Sequence, residues 1–334
     1  MTQPVRTTSI EEIFEAFNSL RVLIIGDVML DSYVWGRVDR ISPEAPVPVV
    51  TVQRRELRLG GAGNVILNVQ ALGAEPIICS VIGTDEPGDR LLGQLKDHGL
   101  NCDGLIRSDD RITTIKERIM AGSQQVVRVD TETDKFITES ERNQLVAKAK
   151  SLIPSCQAVI FQDYDKGVLS PEAIAELTDF ANEHHVPTVV DPKKRNFLAY
   201  HNTTLFKPNL KELKEGLKID FDSKQAGELQ KAIDQLKNRM KIKGALITLS
   251  ERGVFIDYQN ETHHCPAHFR QISDVSGAGD TVISVAACCV ALGLPPRLIA
   301  GLSNLAGGLV CESLGVVPID KQRLQTEAIR EKLA

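Results

Sequence analysis

The sequence predicts an α/β fold: a parallel-sheet core with helices on both faces and a small β lid. Three observations carry this. Short apolar runs recur along the chain, stretches with helical periodicity lie between them, and two segments, one rich in Val and Arg and one alternating as two strands, break the rhythm. Strand, helix, strand, helix is the pattern of a parallel sheet covered on both faces.

In chain order, residues 1–20 place Ile10, Ile13, Phe14 and Phe17 at helical spacing, which predicts an amphipathic helix. Arg21–Gly26 (RVLIIG) is a short apolar run ending in glycine, a buried parallel strand. Similar runs at Pro76–Gly83, Ala158–Gln162, Pro187–Asp191, Thr204–Lys207 and Ala245–Leu249 predict further strands. Glu139–Leu152, Pro171–His184, Lys224–Met240, Gly277–Leu292 and Pro296–Leu314 read as helices. The exceptions are Ser32–Leu59, which contains Pro43, Pro46 and Pro48, and Ile112–Val129, which alternates around Ala121-Gly122. Both are expected to form antiparallel β structure outside the main sheet, a lid built from about residues 32–59 and 112–129. Such a lid excludes water from a reaction that could leak to hydrolysis, or makes a homodimer contact, and the two roles are compatible. With no internal repeat and no low-complexity linker, residues 1–334 are expected to form one unit.

Composition narrows the function. Of 334 residues, 42% are hydrophobic and 25% charged, which is ordinary for a globular chain. A net charge of −5 argues against a nucleic-acid partner, which calls for a basic excess or stripe. The most apolar helical stretch, Val282–Leu294, is shorter than the roughly 20 residues of a membrane span. The acidic N-terminus has no apolar core of a secretory signal, so a cytoplasmic location is expected. Seven cysteines without a C-x-x-C pair read as reduced, mostly buried thiols.

The sharpest chemical signal is Asp274-Val275-Ser276-Gly277-Ala278-Gly279-Asp280-Thr281. Its Gly-Ala-Gly run opens a long helix, where unpaired amides and the helix dipole favour an anion and small residues let a phosphate come close. Asp280 in the first turn puts a carboxylate at the same spot. A base that takes a hydroxyl proton beside amides that hold transferring charge is the arrangement phosphoryl transfer needs. The plainer alternative is a Gly-rich turn with an aspartate cap; the two bracketing aspartates favour chemistry. A second signal, Gly60-Gly61-Ala62-Gly63-Asn64, opens another helix and offers donors and an acceptor for sugar hydroxyls, or only a tight turn. No G-x-x-x-x-G-K-[ST] is present, and Ile66 stands where a dinucleotide fingerprint starting at Gly61 would need its third glycine. His263, His264, Cys265 and His268 cluster in sequence, but a strand turns neighbours to opposite faces, so a four-ligand zinc site is not expected there.

These motifs resemble the two signatures of the ribokinase-like (PfkB) carbohydrate kinases, Gly60–Asn64 the first and Asp274–Asp280 the second, in the family's order and separation. Asn209-Leu210-Lys211-Glu212 resembles the family's N-x-x-E element, which implies a role for Asn209 and Glu212 with Mg²⁺ and phosphate. The resemblance covers nearly the whole chain. It implies a Rossmann-like core with a β lid, ATP and Mg²⁺ as cofactors, Asp280 as base, and Gly277, Ala278 and Gly279 as the anion hole.

Further stretches narrow it. Gly26–Asp31, Tyr33–Gly36, Arg40–Pro46, Asp163–Gly167 and Asp191–Lys193 look like the bacterial heptose-7-phosphate kinases, which act on O1 of D-glycero-β-D-manno-heptose 7-phosphate on the way to ADP-heptose and lipopolysaccharide core. Some members carry a C-terminal nucleotidyltransferase domain. The sequence has no H-x-G-H element, so a separate adenylyltransferase is implied. The alternatives are another sugar, sugar-phosphate or nucleoside kinase of the same family, or a sugar-binding protein without catalysis.

On this reading Asp31, just past the first strand, accepts from sugar hydroxyls together with Gly60, Gly61 and Asn64. Arg118 on the lid is the candidate clamp for a sugar phosphate, with Arg40, Arg128 and Lys193 behind it; Lys193 is equally a candidate for ATP phosphates. Thr248, Ser250 and Gly253 resemble the family's adenosine-side loop. Val275, Asn304, Gly307 and Gly308 are expected beside the nucleotide, the glycines also being explicable as helix packing.

Overall fold

The strands fall into two sheets in the computed structural model, which describes residues 9–333 other than 123, 226 and 269. In the large sheet lie β1 (Arg21–Gly26), β4 (Glu75–Gly83), β5 (Leu105–Ser108), β8 (Ala158–Gln162), β9 (Thr188–Asp191), β10 (Leu205–Phe206), β11 (Gly244–Thr248), β12 (Val254–Tyr258) and β13 (Glu261–Cys265). They follow the order β13-β12-β11-β10-β9-β8-β1-β4-β5, parallel except where β12 pairs antiparallel with both β11 and β13. The small sheet has the order β3-β2-β6-β7, with β2 (Val28–Ile41), β3 (Pro48–Gly61), β6 (Ile115–Ala121) and β7 (Gln124–Thr131).

Alternation along β1 explains the layers. Val22 and Ile24 point into the core under α1 (Ile10–Ala16), α2 (Ala62–Ala71), α8 (Ala278–Ala291), α9 (Pro296–Val310) and α10 (Lys321–Arg330). Leu23 and Ile25 point into the core under α4 (Glu139–Leu152), α5 (Pro171–Glu183) and α7 (Glu228–Met240). Two further helices complete the set: α3 (Glu86–Asp97), which buries Leu91 and Leu95 on the first face, and α6 (Leu210–Leu217), which buries Leu213 and Leu217 on the second. A strand apolar on both faces needs both layers. Helix α8 is buried almost all round, between the sheet, α2 and α9, so its N-terminus opens from the middle of the molecule. No helix among the described residues is long and apolar enough to cross a membrane.

The expected core strands and helices are present within a few residues of their ends. Three details differ. The N-terminal helix is short: α1 starts after its cap Ser9 and gives way to a 3-10 turn at Phe17, while the part expected over residues 1–8 lies outside the described residues. The lid strands run deeper into the core than expected, β2 starting at Val28 and β3 ending at Gly61, because the sheet grows directly out of β1 and into α2. The lid is also not wholly antiparallel, since β2 and β6 run parallel. The chain returns to the lid only after passing through α2, β4, α3 and β5, a crossover that delivers β6 in the direction of β2.

Candidate functional site

The parallel strands end where the lid begins, and the polar residues at those ends converge on the start of α8. Gly277 caps that helix with φ +81°, a left-handed conformation that costs glycine little. No side chain caps α8. The amide of Ala278 reaches back to the Val275 carbonyl at 3.3 Å, whereas those of Gly279 and Asp280 have no acceptor among the described residues. Two open N–H groups at a helix N-terminus form an anion site. Asp274 shapes the turn rather than facing the ligand: its carboxylate accepts from the amides of Ser276 and Gly315, both at 2.9 Å. Those bonds overcome the rise that burial imposes and hold its pKa below the usual range.

Asp280 is buried and bonded on both oxygens. Oδ2 accepts from Asn64 Nδ2 at 2.8 Å; Oδ1 accepts from Gln162 Nε2 at 2.9 Å and from the Tyr164 hydroxyl at 2.7 Å. Burial pushes its pKa up to about 6, the Asn64 and Tyr164 hydrogen bonds pulling down and the charge of Asp191 pushing further up. Asp191 closes the other side of the helix start. It pairs with Lys207 at 3.1 Å, both side chains being about 5% exposed or less, and a methyl on Gly279 would lie 3.7 Å from Lys207 Nζ and 3.8 Å from Asp191 Oδ2.

The Gly60–Asn64 motif plays a more structural part than its composition implied. Gly61 caps α2 with φ +58°, and a methyl there would strike the Asp27 carbonyl oxygen at 2.5 Å. A methyl on Gly60 would fall 2.2 Å from Asp31 Oδ2, so that glycine makes room for the carboxylate. Asn64 is fully buried, so its side chain does not face an open sugar site. It holds Asp280 and accepts on its Oδ1 from Asn68.

Asp31 and Arg118, expected at the sugar, are brought together as a partly buried ion pair on the inner face of the lid. Arg118 and Arg58 stack on opposite strands against the Tyr33 ring, at 5.3 and 5.1 Å. Arg58, which the sequence did not single out, also donates to the Leu314 and Val316 carbonyls. Of the other clamp candidates, Arg128 neighbours Arg118 in register and pairs with Asp130 at 2.9 Å. Arg40 does not reach the site: it is exposed on a two-stranded arm that continues past Gly36, where β6 stops pairing.

A cleft of about 440 Å³ lies on the other side of the α8 start, within the range of small-ligand pockets. Thr248, Ser250 and Gly253 line it from the β11–β12 turn, Val275, Ala278 and Gly279 from the start of α8, and Asn304 and Gly308 from α9. Asn304 spends its amide on the Pro266 carbonyl, at 2.8 Å. Gly307 is mainly a packing residue, since a methyl there would lie 2.8 Å from Val282 Cγ2. Arg270, missed in the sequence, passes Gly308 on its way to Glu312 and Glu327.

Lys193, Asn209 and Glu212 do not line this cleft. Asn209 and Glu212 form a capping box at the start of α6, each side chain accepting from the other's amide at 2.8 Å. The second oxygen of Glu212 takes Lys193 at 2.9 Å, so both Glu212 oxygens already have a protein partner. Lys193 stands 5.1 Å over the Tyr164 ring. Burial works against its charge, but Asp191 and Glu212 outweigh burial and hold it above the usual lysine range.

Gln162, Tyr164, Asp191 and Lys207 complete the site, and sequence reasoning assigned a site role to none of the four. Their one local signal is a polar residue at or just past the C-terminal end of an apolar strand. In β13, His263 turns to Glu261 and His264 to the Arg252 carbonyl, on different sides of the strand.

The model of the pfkB family carbohydrate kinases matches residues 19–322. The chain is 40% identical over 307 residues to the bifunctional protein HldE of Trichlorobacter lovleyi, covering 92% of this chain and 62% of that protein. It is 38% identical over 319 residues to HldE of Citrifermentans bemidjiense, covering 95% and 65%. The chain therefore spans a little under two thirds of those relatives. In fold it is similar to phosphofructokinase-2 from Escherichia coli in complex with potassium, with TM-score 0.77, 19% identity, and coverage of 94% of this chain and 99% of that one. It is also similar to Arabidopsis thaliana ribokinase complexed with ribose and ATP, with TM-score 0.70, 14% identity, and coverage of 92% and 98%.

Proposed function

The chain belongs to the pfkB family of carbohydrate kinases, and from that premise we propose that it transfers the γ-phosphoryl group of ATP to the anomeric O1 of D-glycero-β-D-manno-heptose 7-phosphate. The observation that carries the reading is the Asp280 carboxylate held beside the two open amides of Gly279 and Asp280. The similarity to proteins named HldE supports the heptose within the family.

The parts divide the work. The cleft between the β11–β12 turn and α9 takes the nucleotide, its phosphates reaching Gly279. The sugar lies under the lid, with Asp31 accepting from its hydroxyls and Arg118 meeting its phosphate. Asp280 takes the O1 proton as the oxygen attacks, while the free amides and the Lys207 ammonium beside Gly279 meet the charge on the transferring group. A base near 6 is ionised at neutral pH yet still basic enough to share a proton in the transition state. Magnesium would accompany the ATP phosphates; no group of three or more metal-ligating side chains lies among the described residues, so the ion would be held chiefly by those phosphates and water, with Glu212 near them. Two copies are proposed to pair through the outer face of the lid, where Val52, Val127 and Val129 are exposed.

The test is turnover and substrate choice. Asp280→Asn is expected to lower kcat by at least about 100-fold while ATP still binds by calorimetry; near-normal turnover removes Asp280 from the role. In a panel with the heptose 7-phosphate, ribose and fructose 6-phosphate, the heptose is expected to give the highest kcat/KM. Should ribose match it, the narrow substrate fails and the kinase stands. ATP consumption that no sugar stimulates would overturn both.

A further inference from the structure

We propose that the turn Asp163–Val168 couples the lid to the catalytic base: Tyr164 positions the Asp280 carboxylate, and the segment leaving the last lid strand fixes where Tyr164 sits. The inference rests on Asp280 being the base.

At one end of the turn the Tyr164 hydroxyl donates to Asp280 Oδ1 at 2.7 Å. The middle of the turn is pinned to the core. Asp27, between β1 and β2, accepts from the amides of Tyr164, Lys166 and Val168 at 2.8, 3.1 and 3.1 Å.

The far end is bound to the lid by independent contacts. Glu132, one residue past β7, accepts from Lys166 Nζ at 2.8 Å and from Lys116 Nζ of β6 at 2.9 Å. The Ile137 amide donates to the Gly167 carbonyl at 3.0 Å. Gly167 has φ +88°, and a methyl there would lie 2.0 Å from the Lys135 carbonyl oxygen, so the two backbones are in direct contact. Arg111, on the approach to β6, donates to the Lys166 carbonyl at 2.7 Å.

A turn with its amides, its carbonyls and a charged side chain all engaged does not deform piecemeal; it moves with what holds it. A shift of β6 and β7 is therefore passed to residues 163–168 and reaches Asp280 through one hydroxyl. The other charged groups facing Asp280 are Asp191 at the end of β9, Lys193 just after it and Lys207 after β10, and none of them bonds to the lid. Asn64 and Gln162, its uncharged partners, come from α2 and β8. Tyr164 is the contact through which a shift of β6 and β7 reaches the base, separate from the route that runs from β3 through α2 to Asn64.

The experiment uses the whole chain, ATP and the sugar that the panel above identifies. Tyr164→Phe is expected to lower kcat about ten- to a hundredfold, leave the sugar KM near wild type and move the acid limb of the kcat/KM profile to higher pH, because a hydrogen bond that favours the carboxylate is gone. Glu132→Gln is expected to move the limb the same way by less, and the double variant to match Tyr164→Phe alone. Lys150→Met, at an exposed ion pair with Glu176, serves as a surface control and is expected to track the wild type. Without any substrate, hydrogen exchange in Glu132→Gln is expected to quicken at residues 163–168 as well as at 132–137. An unmoved acid limb in Tyr164→Phe, additive effects in the double variant, or unchanged exchange at 163–168 each overturn the coupling. Asp280→Asn run alongside separates the two readings. Lost turnover there with a normal Tyr164→Phe removes the coupling only. Retained turnover removes the base, and with it the catalytic half of the proposal.

Discussion

Asp280 accepts from three neutral donors, and all three favour its charged form, yet burial and the nearby Asp191 still leave it with a pKa of about 6 against an unfolded value of 3.8. Two consequences follow from that sign. In activity, the base is lost as pH falls through about 6, so kcat/KM is expected to rise across that region and level off above it. In stability, the unfolded chain releases this proton first. Between about pH 4 and 6 the native state binds more protons, so stability falls as pH rises, by about 3 kcal/mol once both states are ionised. Asp280→Asn removes that slope. Urea titrations at pH 4 and pH 7 are expected to show the wild type losing roughly 2 kcal/mol relative to the variant, since the unfolded chain is already mostly ionised at pH 4; parallel curves would mean that the carboxylate is not held up in the native state. A residue strained for chemistry in this way costs the fold stability where the enzyme works.

At the scale of elements, the starts of α8 and α6 show opposite uses of a helix N-terminus. Helix α8 is left uncapped by any side chain, and its open amides face the site. Helix α6 is closed by the Asn209–Glu212 capping box. Gly277→Ala is expected to destabilise the protein by roughly 1–3 kcal/mol, because φ +81° disfavours a side chain and the added methyl would sit 2.8 Å from Asn64 Nδ2. Beyond that cost, the variant is expected to disturb the Asn64 bond to Asp280 and lower kcat, measurable as a drop in kcat with intact ATP binding. At α6, Glu212→Ala is expected to cost about 1 kcal/mol in urea unfolding, while Glu212→Gln, which keeps the box, is expected to cost much less. Equal losses would place the value of Glu212 in its charge pair with Lys193 instead. The same contrast marks what the sequence makes legible. The anion site at Gly277–Asp280 is written in consecutive residues, as are the strands whose apolar runs give the core, so both could be read locally. Gln162, Tyr164 and Lys207 reach Asp280 or Gly279 only because β8, β9 and β10 end in a row at the start of α8, and a single polar residue after an apolar run does not announce which neighbour it will meet. Asn64 was read from its motif as a sugar ligand. Its burial against Asp280 depends on α2 packing on α8, a contact between residues more than two hundred positions apart.

For the whole molecule the lid is the part with two contrasting faces. Its inner face is charged: Asp31, Arg58, Lys116, Arg118, Arg128 and Asp130 are neighbours in register across four strands. Its outer face leaves Val52, Val127 and Val129 about half exposed, and beyond Gly36 the β2–β3 hairpin runs on as a bare two-stranded arm with Ile41 and Val47 open to solvent. An isolated two-stranded ribbon is marginal in water, and contiguous exposed valines mark a surface that is covered in use. A second copy satisfies both needs, since a twofold pairing of lid on lid buries the same patch on each partner. The prediction is that the wild type sediments as a dimer and that Val127→Asp together with Val129→Asp shifts it to monomer, by desolvation of two charges in an apolar contact. Because β7 is followed directly by Glu132, which holds Lys166 and through its turn Tyr164, loss of the pairing is expected to reach the site as well. The monomeric variant should then show a lower kcat and the same shift of the acid limb as Glu132→Gln, with ATP affinity unchanged. A variant that is monomeric and fully active would confine the outer face to assembly; one that remains dimeric would move the interface elsewhere.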